Sequence, residues 1–138
     1  EILQLGLNGL YALASGMFPP EQVKAAFELR LMCLSGYRPE LEGCAKCGKV
    51  DIESGYLVPA HGELYCEDCP RPDGLPVDRA VIEAMRYIVD AAPKRIFSFR
   101  LDDEGIRRLG QVCEAYALYE LDRGFASLDY YKKVRNSK

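Results

Sequence analysis

The sequence predicts a mainly α-helical domain with a small cysteine-rich β module inserted in it. Three observations lead there. Apolar residues recur at helical spacing in residues 2–35 and again in 77–121. Between those stretches, residues 40–78 carry nine acids against three bases (Lys46, Lys49, Arg71), half of the prolines and four of the six cysteines. Those four cysteines form two C-x-x-C pairs. The 138 residues suit one domain, read as 1–138, with an inserted module at 42–72.

The first helix is read over residues 2–15, with Leu3, Leu7, Leu10 and Ala14 on one face and Ile2, Tyr11 and Leu13 widening it. Gly16 stops it, and Pro19-Pro20 separates it from a second helix at about 20–35. There Pro20 suits the first turn and Glu21 the positive helix end. Val23, Phe27, Leu31 and Leu34 mark its core face, and Gly36 and Pro39 close it. Residues 55–59 and 63–65 are short and strand-like, and Ala60-His61-Gly62 forms the turn of a β-hairpin. A third helix follows Pro76, over about 77–92, with Val81, Met85, Ile88 and Val89 inward. Residues 96–101 alternate and read as an extended segment. Asp102 or Asp103 caps a fourth helix of about twenty residues. Ile106, Leu109, Val112, Cys113, Tyr116 and Tyr119 form its stripe, with Leu118 and Leu121 beside it. Gly124 is expected to end it, with a short basic helix at 126–134 beyond.

Cys44-Ala-Lys-Cys47-Gly48 and Cys66-Glu-Asp-Cys69 are separated by eighteen residues, the spacing of a zinc ribbon. A C-x-x-C turn brings two sulfurs to about 3.5–4 Å, as tetrahedral Zn–S bonds of about 2.3 Å require. Gly48 permits the tight turn, and the hairpin returns the second pair to the first. Four thiolate ligands leave no open position, so a single bound zinc would be structural. Lys46 and Lys49 would offset part of its anionic charge. The module has few apolar residues, so metal binding is expected to supply much of its folding free energy. Redox dithiols and two disulfides are the alternatives, the latter needing an oxidising compartment. Cys33 and Cys113 lie on helical core faces and read as inert thiols. His61 reads as a solvated turn residue.

A net charge of −3 disfavours non-specific nucleic-acid binding by the whole surface. Basic residues nevertheless gather after the cysteine module. Arg86, Lys94 and Arg95, with Arg79 and Arg100, form one group, and Lys132, Lys133 and Arg135 another, interleaved with Phe97, Phe99, Tyr130 and Tyr131. Charge for phosphate and rings for bases is the pattern of single-strand binding. Arg79, Glu83, Arg86 and Asp90 equally suit an ion-pair ladder on a solvated face. Arg30, in an apolar segment, either snorkels, pairs internally or rims a pocket for an anionic peptide end. No nucleophile elbow, phosphate loop, zinc-protease or dinucleotide motif is present, so a non-enzymatic role is expected. No stretch has the roughly 20 apolar residues of a membrane span. The chain begins without methionine and directly in a helix, which points to a fragment.

The run Phe27-Glu-Leu-Arg-Leu, then Gly36-Tyr-Arg-Pro-Glu-Leu41, leading into Cys44-x-x-Cys47-Gly48, resembles the C-terminal domain of the bacterial RecO family. Gly62-Glu-Leu-Tyr-Cys66-x-x-Cys69 and the ending Arg123-Gly-Phe-Ala-Ser-Leu-Asp-Tyr130 resemble it too. The resemblance covers essentially the whole chain. It implies a helical domain carrying a zinc-binding insert, with Cys44, Cys47, Cys66 and Cys69 as ligands, and an N-terminal OB-fold domain absent from this chain. It further implies a cytoplasmic, nucleoid-associated DNA-repair mediator. Such a protein binds single- and double-stranded DNA and anneals strands. It joins RecR and in many bacteria RecF, binds the acidic tail of single-stranded-DNA-binding protein, and helps to load RecA. The fragment alone is expected to bind DNA weakly. Many members have Gly-Gly where this chain has His61-Gly62. Some lack the four cysteines, which makes the zinc a local staple. The readings outside the family are a zinc-stabilised protein adaptor without DNA binding and a C-x-x-C redox switch.

Overall fold

In the computed structural model the backbone is described for residues 1–136 and the side chains for residues 1–122. Among the described residues, two helices, three strands of one antiparallel sheet and two more helices follow in the order α1 (Ile2–Ser15), α2 (Pro20–Leu34), β1 (Ser54–Val58), β2 (Glu63–Cys66), β3 (Leu75–Asp78), α3 (Arg79–Asp90) and α4 (Asp103–Asn136). Helix α2 lies at the centre and packs on each of the other three. It starts as its sequence dictates, with Pro20 in the first turn and Glu21 beside it. It closes through paired bonds, Gly36 N–H to the Cys33 carbonyl and Tyr37 N–H to the Met32 carbonyl, around Gly36 at φ 93°. Asp78 caps α3 by accepting from Val81 N–H at 3.0 Å, and Asp102 caps α4 by accepting from Gly105 N–H at 2.7 Å.

The core is continuous. Leu29 of α2, Ile82, Met85 and Ile88 of α3, and Leu109 and Val112 of α4 are fully buried, and they share one cluster with Leu57, Val58 and Leu64 of the sheet. Val81, Met85, Ile88 and Val89 are inward as their spacing requires. The cysteine module therefore rests on the helices through its own Ile52, Leu57 and Leu64, with Leu41 and Val77 buried at its two ends. That is more apolar support than its acidic composition implied.

Several elements differ from the sequence reading. On α1 the buried residues are Leu5, Gly9 and Ala12, whereas Leu3, Leu7, Leu10 and Ala14 face outward. The helix is apolar almost all round, so periodicity does not select a face. Packing selects the slim side, where Gly9 comes against the Phe27 ring. Residues 75–78 are a strand, not the first turn of α3, and β3 pairs with β1 through Gly55↔Val77 and Leu57↔Leu75. The sheet order is β2-β1-β3, which leaves Pro76 on an edge strand where a missing N–H is tolerated. Residues 96–102 are irregular rather than extended, after a 3-10 turn at Pro93–Arg95. Buried Gln22 donates to the carbonyls of Phe97 (2.8 Å) and Phe99 (2.6 Å), taking up the backbone acceptors that a strand would have paired. The last two expected helices are one, because α4 runs on through Gly124. A helix-interior glycine costs only about 1 kcal/mol. Along α4, Ala117 and Glu120 are buried, while Leu118, Tyr119 and Leu121 are exposed.

Candidate metal centre

Each cysteine pair sits where a chain reversal meets the sheet. Cys66 ends β2, and its carbonyl accepts from Cys69 N–H at 3.0 Å, closing the second C-x-x-C turn. The first pair is carried by a loop strapped to the same strand, with Ala45 N–H donating to the Leu64 carbonyl at 2.7 Å. Within that loop Gly48 N–H donates to the Cys44 carbonyl (2.8 Å), and Cys44 N–H donates to the Lys49 carbonyl (2.8 Å). The bonds fold the chain back at Gly48, whose φ of 79° is the left-handed turn expected of it.

These turns bring the four Sγ atoms of Cys44, Cys47, Cys66 and Cys69 within 4.8 Å of one another, with Cys47 and Cys66 sulfurs 3.6 Å apart. Tetrahedral thiolate ligation at about 2.3 Å requires sulfur separations of about 3.8 Å, so the donor set fits one metal ion. Cys44 and Cys66 are buried, Cys69 is half-buried and Cys47 is exposed. Burial pushes the Cys44 thiol up, but the backbone N–H groups of Cys47, Cys66 and Lys46 together outweigh it and hold it at about 6. Burial, and then its sulfur neighbours Cys66, Cys44 and Cys47, push Cys69 up to about 12. Without a cation, the cluster thus resists holding four negative charges at once. A bound divalent cation removes that conflict. Of the two lysines read as charge partners, Lys49 lies 4.0 Å from Asp68 in an exposed ion pair.

The hairpin tip explains the His61-Gly62 pair. Gly62 has φ 62°, and a Cβ there would lie 3.0 Å from the Tyr116 ring, so a side chain is excluded on two counts. His61 is exposed and carries no such constraint. Tyr116 in turn donates its hydroxyl to the Tyr37 carbonyl at 2.6 Å, tying α4, the tip and the chain after α2 together.

The basic residues divide into two groups. Arg30 turns inward, and its Nη1 donates to the carbonyls of Ile88 (2.9 Å), Val89 (3.2 Å) and Ala91 (2.9 Å), a cation on the C-terminal end of α3. Arg86 is bonded to Glu83 and to the backbone of the cysteine loop. Of the expected ladder only the Glu83–Arg86 pair forms, at 3.0 Å. Arg79 instead meets Asp51 and Glu53, and Asp90 meets Arg38. Lys94 and Arg95 are exposed on the 3-10 turn, with Arg100 nearby in sequence. Phe97 is buried and Phe99 stacks edge-on against Tyr87, with ring centroids 6.2 Å apart, so these rings are spent on packing. Lys132, Lys133 and Arg135 lie outside the described side chains. Cys113 is buried, and burial pushes its thiol well above the ordinary range. Sequence reasoning missed Gln22 and the strand β3, since their partners are remote in the chain.

The molecule is thus a helical domain with a cluster of four cysteines, spaced to hold a metal ion, built into a small sheet. Comparison with known proteins places that architecture. A family model described as "Recombination protein O C terminal" matches residues 1–129. "DNA repair protein RecO" of Acetivibrio thermocellus is 31% identical over all of the chain, and this chain covers 56% of that protein. The proteins of the same name from Rubrobacter xylanophilus (36% identical, 74% of this chain, 43% of that protein) and Frankia casuarinae (33%, 97% and 54%) also match. The chain belongs to the RecO C-terminal family, and it spans about half the length of these curated relatives. No helix among the described residues is long and apolar enough to cross a membrane.

Proposed function

We propose that this chain is the metal-stapled helical part of a DNA-repair mediator that works by binding, not by catalysis. In this reading the cluster holds one structural zinc through Cys44, Cys47, Cys66 and Cys69, in a module spanning residues 42–72 of the domain 1–138. A full thiolate set leaves the metal no position for substrate. The observation that carries the mediator role is the family match over residues 1–129. In this reading the wider activity is that of a recombination mediator: RecR, and in many bacteria RecF, as partners, strand annealing and RecA loading, in the cytoplasm and at the nucleoid.

Two surfaces support partner binding. Lys94 and Arg95 are exposed cations, and the exposed Tyr11 ring lines a surface pocket with Lys94, so this patch offers charge for phosphate with a ring beside it. Lys132, Lys133 and Arg135 join them in this reading as phosphate ligands. An apolar groove of about 550 Å³ runs between α1 and α2, lined by Leu10, Leu13, Val23 and Phe27, with Lys24 at its edge. The apolar lining suits the apolar end of an acidic peptide, such as the tail of single-stranded-DNA-binding protein, which would have to take Lys24 from its ion pair with Glu28 (3.2 Å). Arg86 spends Nε, Nη1 and Nη2 within the domain, and Arg30 spends Nη1 there, so in this reading neither is a main contact of these two surfaces.

Titrating the zinc-loaded chain with labelled single-stranded DNA at 50 and about 200 mM salt tests the DNA part. The expected result is weak binding that falls steeply with salt and weakens further in Lys94→Glu/Arg95→Glu. Binding of the tail peptide with no DNA binding at either salt would instead favour a pure protein adaptor.

A further inference from the structure

Arg86 leaves the exposed edge of α3, whose opposite face is locked into the core through Val81, Ile82, Met85, Ile88 and Val89. Its backbone position is therefore fixed. From there its guanidinium makes four hydrogen bonds. Nε donates to the Leu41 carbonyl at 2.8 Å. Nη2 donates to the carbonyls of Glu42 (3.4 Å) and Val50 (3.2 Å). Nη1 donates to Glu83 at 3.0 Å. Leu41 and Glu42 enter the loop that carries Cys44 and Cys47, and Val50 leaves it. One planar side chain thus bridges both limbs of the neck.

The neck is narrow. Cys44 N–H bonds the Lys49 carbonyl at 2.8 Å, and a Cβ on Gly43 would lie 3.1 Å from the carbonyl oxygens of both Gly48 and Lys49. The first cysteine pair reaches the second through this neck and through the Ala45–Leu64 strap to β2. The carbonyls of Leu41, Glu42 and Val50 accept from Arg86. They have no other hydrogen-bond donor among the described residues, and an unpaired carbonyl there would turn to water and open the loop. A guanidinium suits the task because its five donors lie in one rigid fork, whereas a lysine ammonium is a single point on a flexible stem.

We infer that Arg86 is the positioning residue of the metal centre: its guanidinium draws the two limbs of the Cys44–Cys47 loop together and sets that sulfur pair at ligating distance from Cys66 and Cys69. This rests on the zinc reading above. It gives Arg86 a task that a nucleic-acid contact would contradict, since the donors that would meet a phosphate are engaged in holding the loop. Supporting groups around metal ligands typically change affinity by about 10–100-fold when removed.

The test is the rate of zinc transfer from the loaded chain to a chromogenic chelator, in the wild type, Arg86→Met, Arg86→Lys and Arg107→Met. Arg107 serves as the control because its guanidinium meets only Glu104 on the surface. Far-UV circular dichroism of each loaded protein reports the helical body. The expected result is release about 10–100-fold faster in Arg86→Met, with Arg86→Lys intermediate and Arg107→Met unchanged. Cobalt substituted at saturation should give the same thiolate-to-metal absorption in all four, because the ligands are untouched. Arg86 variants that stay folded and release zinc within twofold of wild type would overturn the assignment alone. If Arg86→Met fails to fold, Arg86→Lys decides the matter by the same criterion. A wild-type chain that takes up neither zinc nor cobalt would overturn the metal reading itself, and this assignment with it.

Discussion

Gln22 is the polar side chain on which the helical body most visibly depends. It sits on α2 with 2% of its surface exposed, and its amide nitrogen spans the carbonyls of Phe97 and Phe99 at 2.8 and 2.6 Å. Gln22→Leu keeps the volume and removes both donors. Each hydrogen bond is worth about 1 kcal/mol net, and leaving a buried acceptor unpaired costs about 1–3 kcal/mol. The Phe97 bond is fully buried and the Phe99 bond partly so, which gives a loss of about 2–4 kcal/mol for the pair. With an unfolding entropy of about 2.1 cal/mol/K per residue, a chain of 138 residues should lose about 7–14 °C in Tm. The assay is urea and thermal unfolding of the metal-loaded protein, followed by far-UV circular dichroism. Because Gln22 holds residues 96–99, the variant should also loosen the neighbouring Lys94–Arg95 turn, seen as faster amide exchange there. A change below about 0.5 kcal/mol, the range of a neutral surface substitution, would refute the claim that this amide closes the 93–100 segment.

Four further outcomes follow from single residues. Gly62→Ala should cost about 1–3 kcal/mol by urea unfolding, through left-handed strain and the Tyr116 ring. His61→Gly should change stability by less than about 0.5 kcal/mol. Arg30→Met should lose about 2 kcal/mol, because three carbonyls at the end of α3 lose a charged donor, and hydrogen–deuterium exchange should localise the loss to residues 86–91. Cys113 should resist iodoacetamide at pH 8 in the folded protein, as read by mass spectrometry, and react only on unfolding. Burial raises its folded value above the ordinary 9.0. The stability tied to it is therefore present below pH 9 and is lost as pH rises further, where the unfolded chain sheds a proton that the folded chain keeps.

Local signals carried over into the structure well. The start of α2 at Pro20, its stop at Gly36, the Asp102 cap and the inward stripe of α3 each depend on residues within one or two turns. The two C-x-x-C pairs were legible for the same reason, since ligand spacing is a local geometry joined by one hairpin. The inner face of α1 was not legible, because a helix apolar on nearly every side leaves the choice to its neighbours. Strand β3 is four residues long and contains a proline, so it shows neither alternation nor length, and only its partner β1 defines it. Gln22 carried no signal in the sequence, and the roles of Arg30 and Arg86 stayed open between surface and internal partners, because those partners lie 36 to 77 positions away. Long polar side chains in apolar surroundings gain their meaning from tertiary contacts that sequence periodicity does not record.

The central claim is that four cysteines close one zinc-bearing staple on a RecO-type helical domain. Elemental analysis of zinc per chain tests it most directly, on wild-type protein purified without chelators and on Cys44→Ser/Cys47→Ser. The account predicts one zinc per chain in the wild type and none in the double variant. A wild-type chain without zinc, its four thiols free or oxidised in pairs, would contradict it and turn the cluster toward dithiol chemistry.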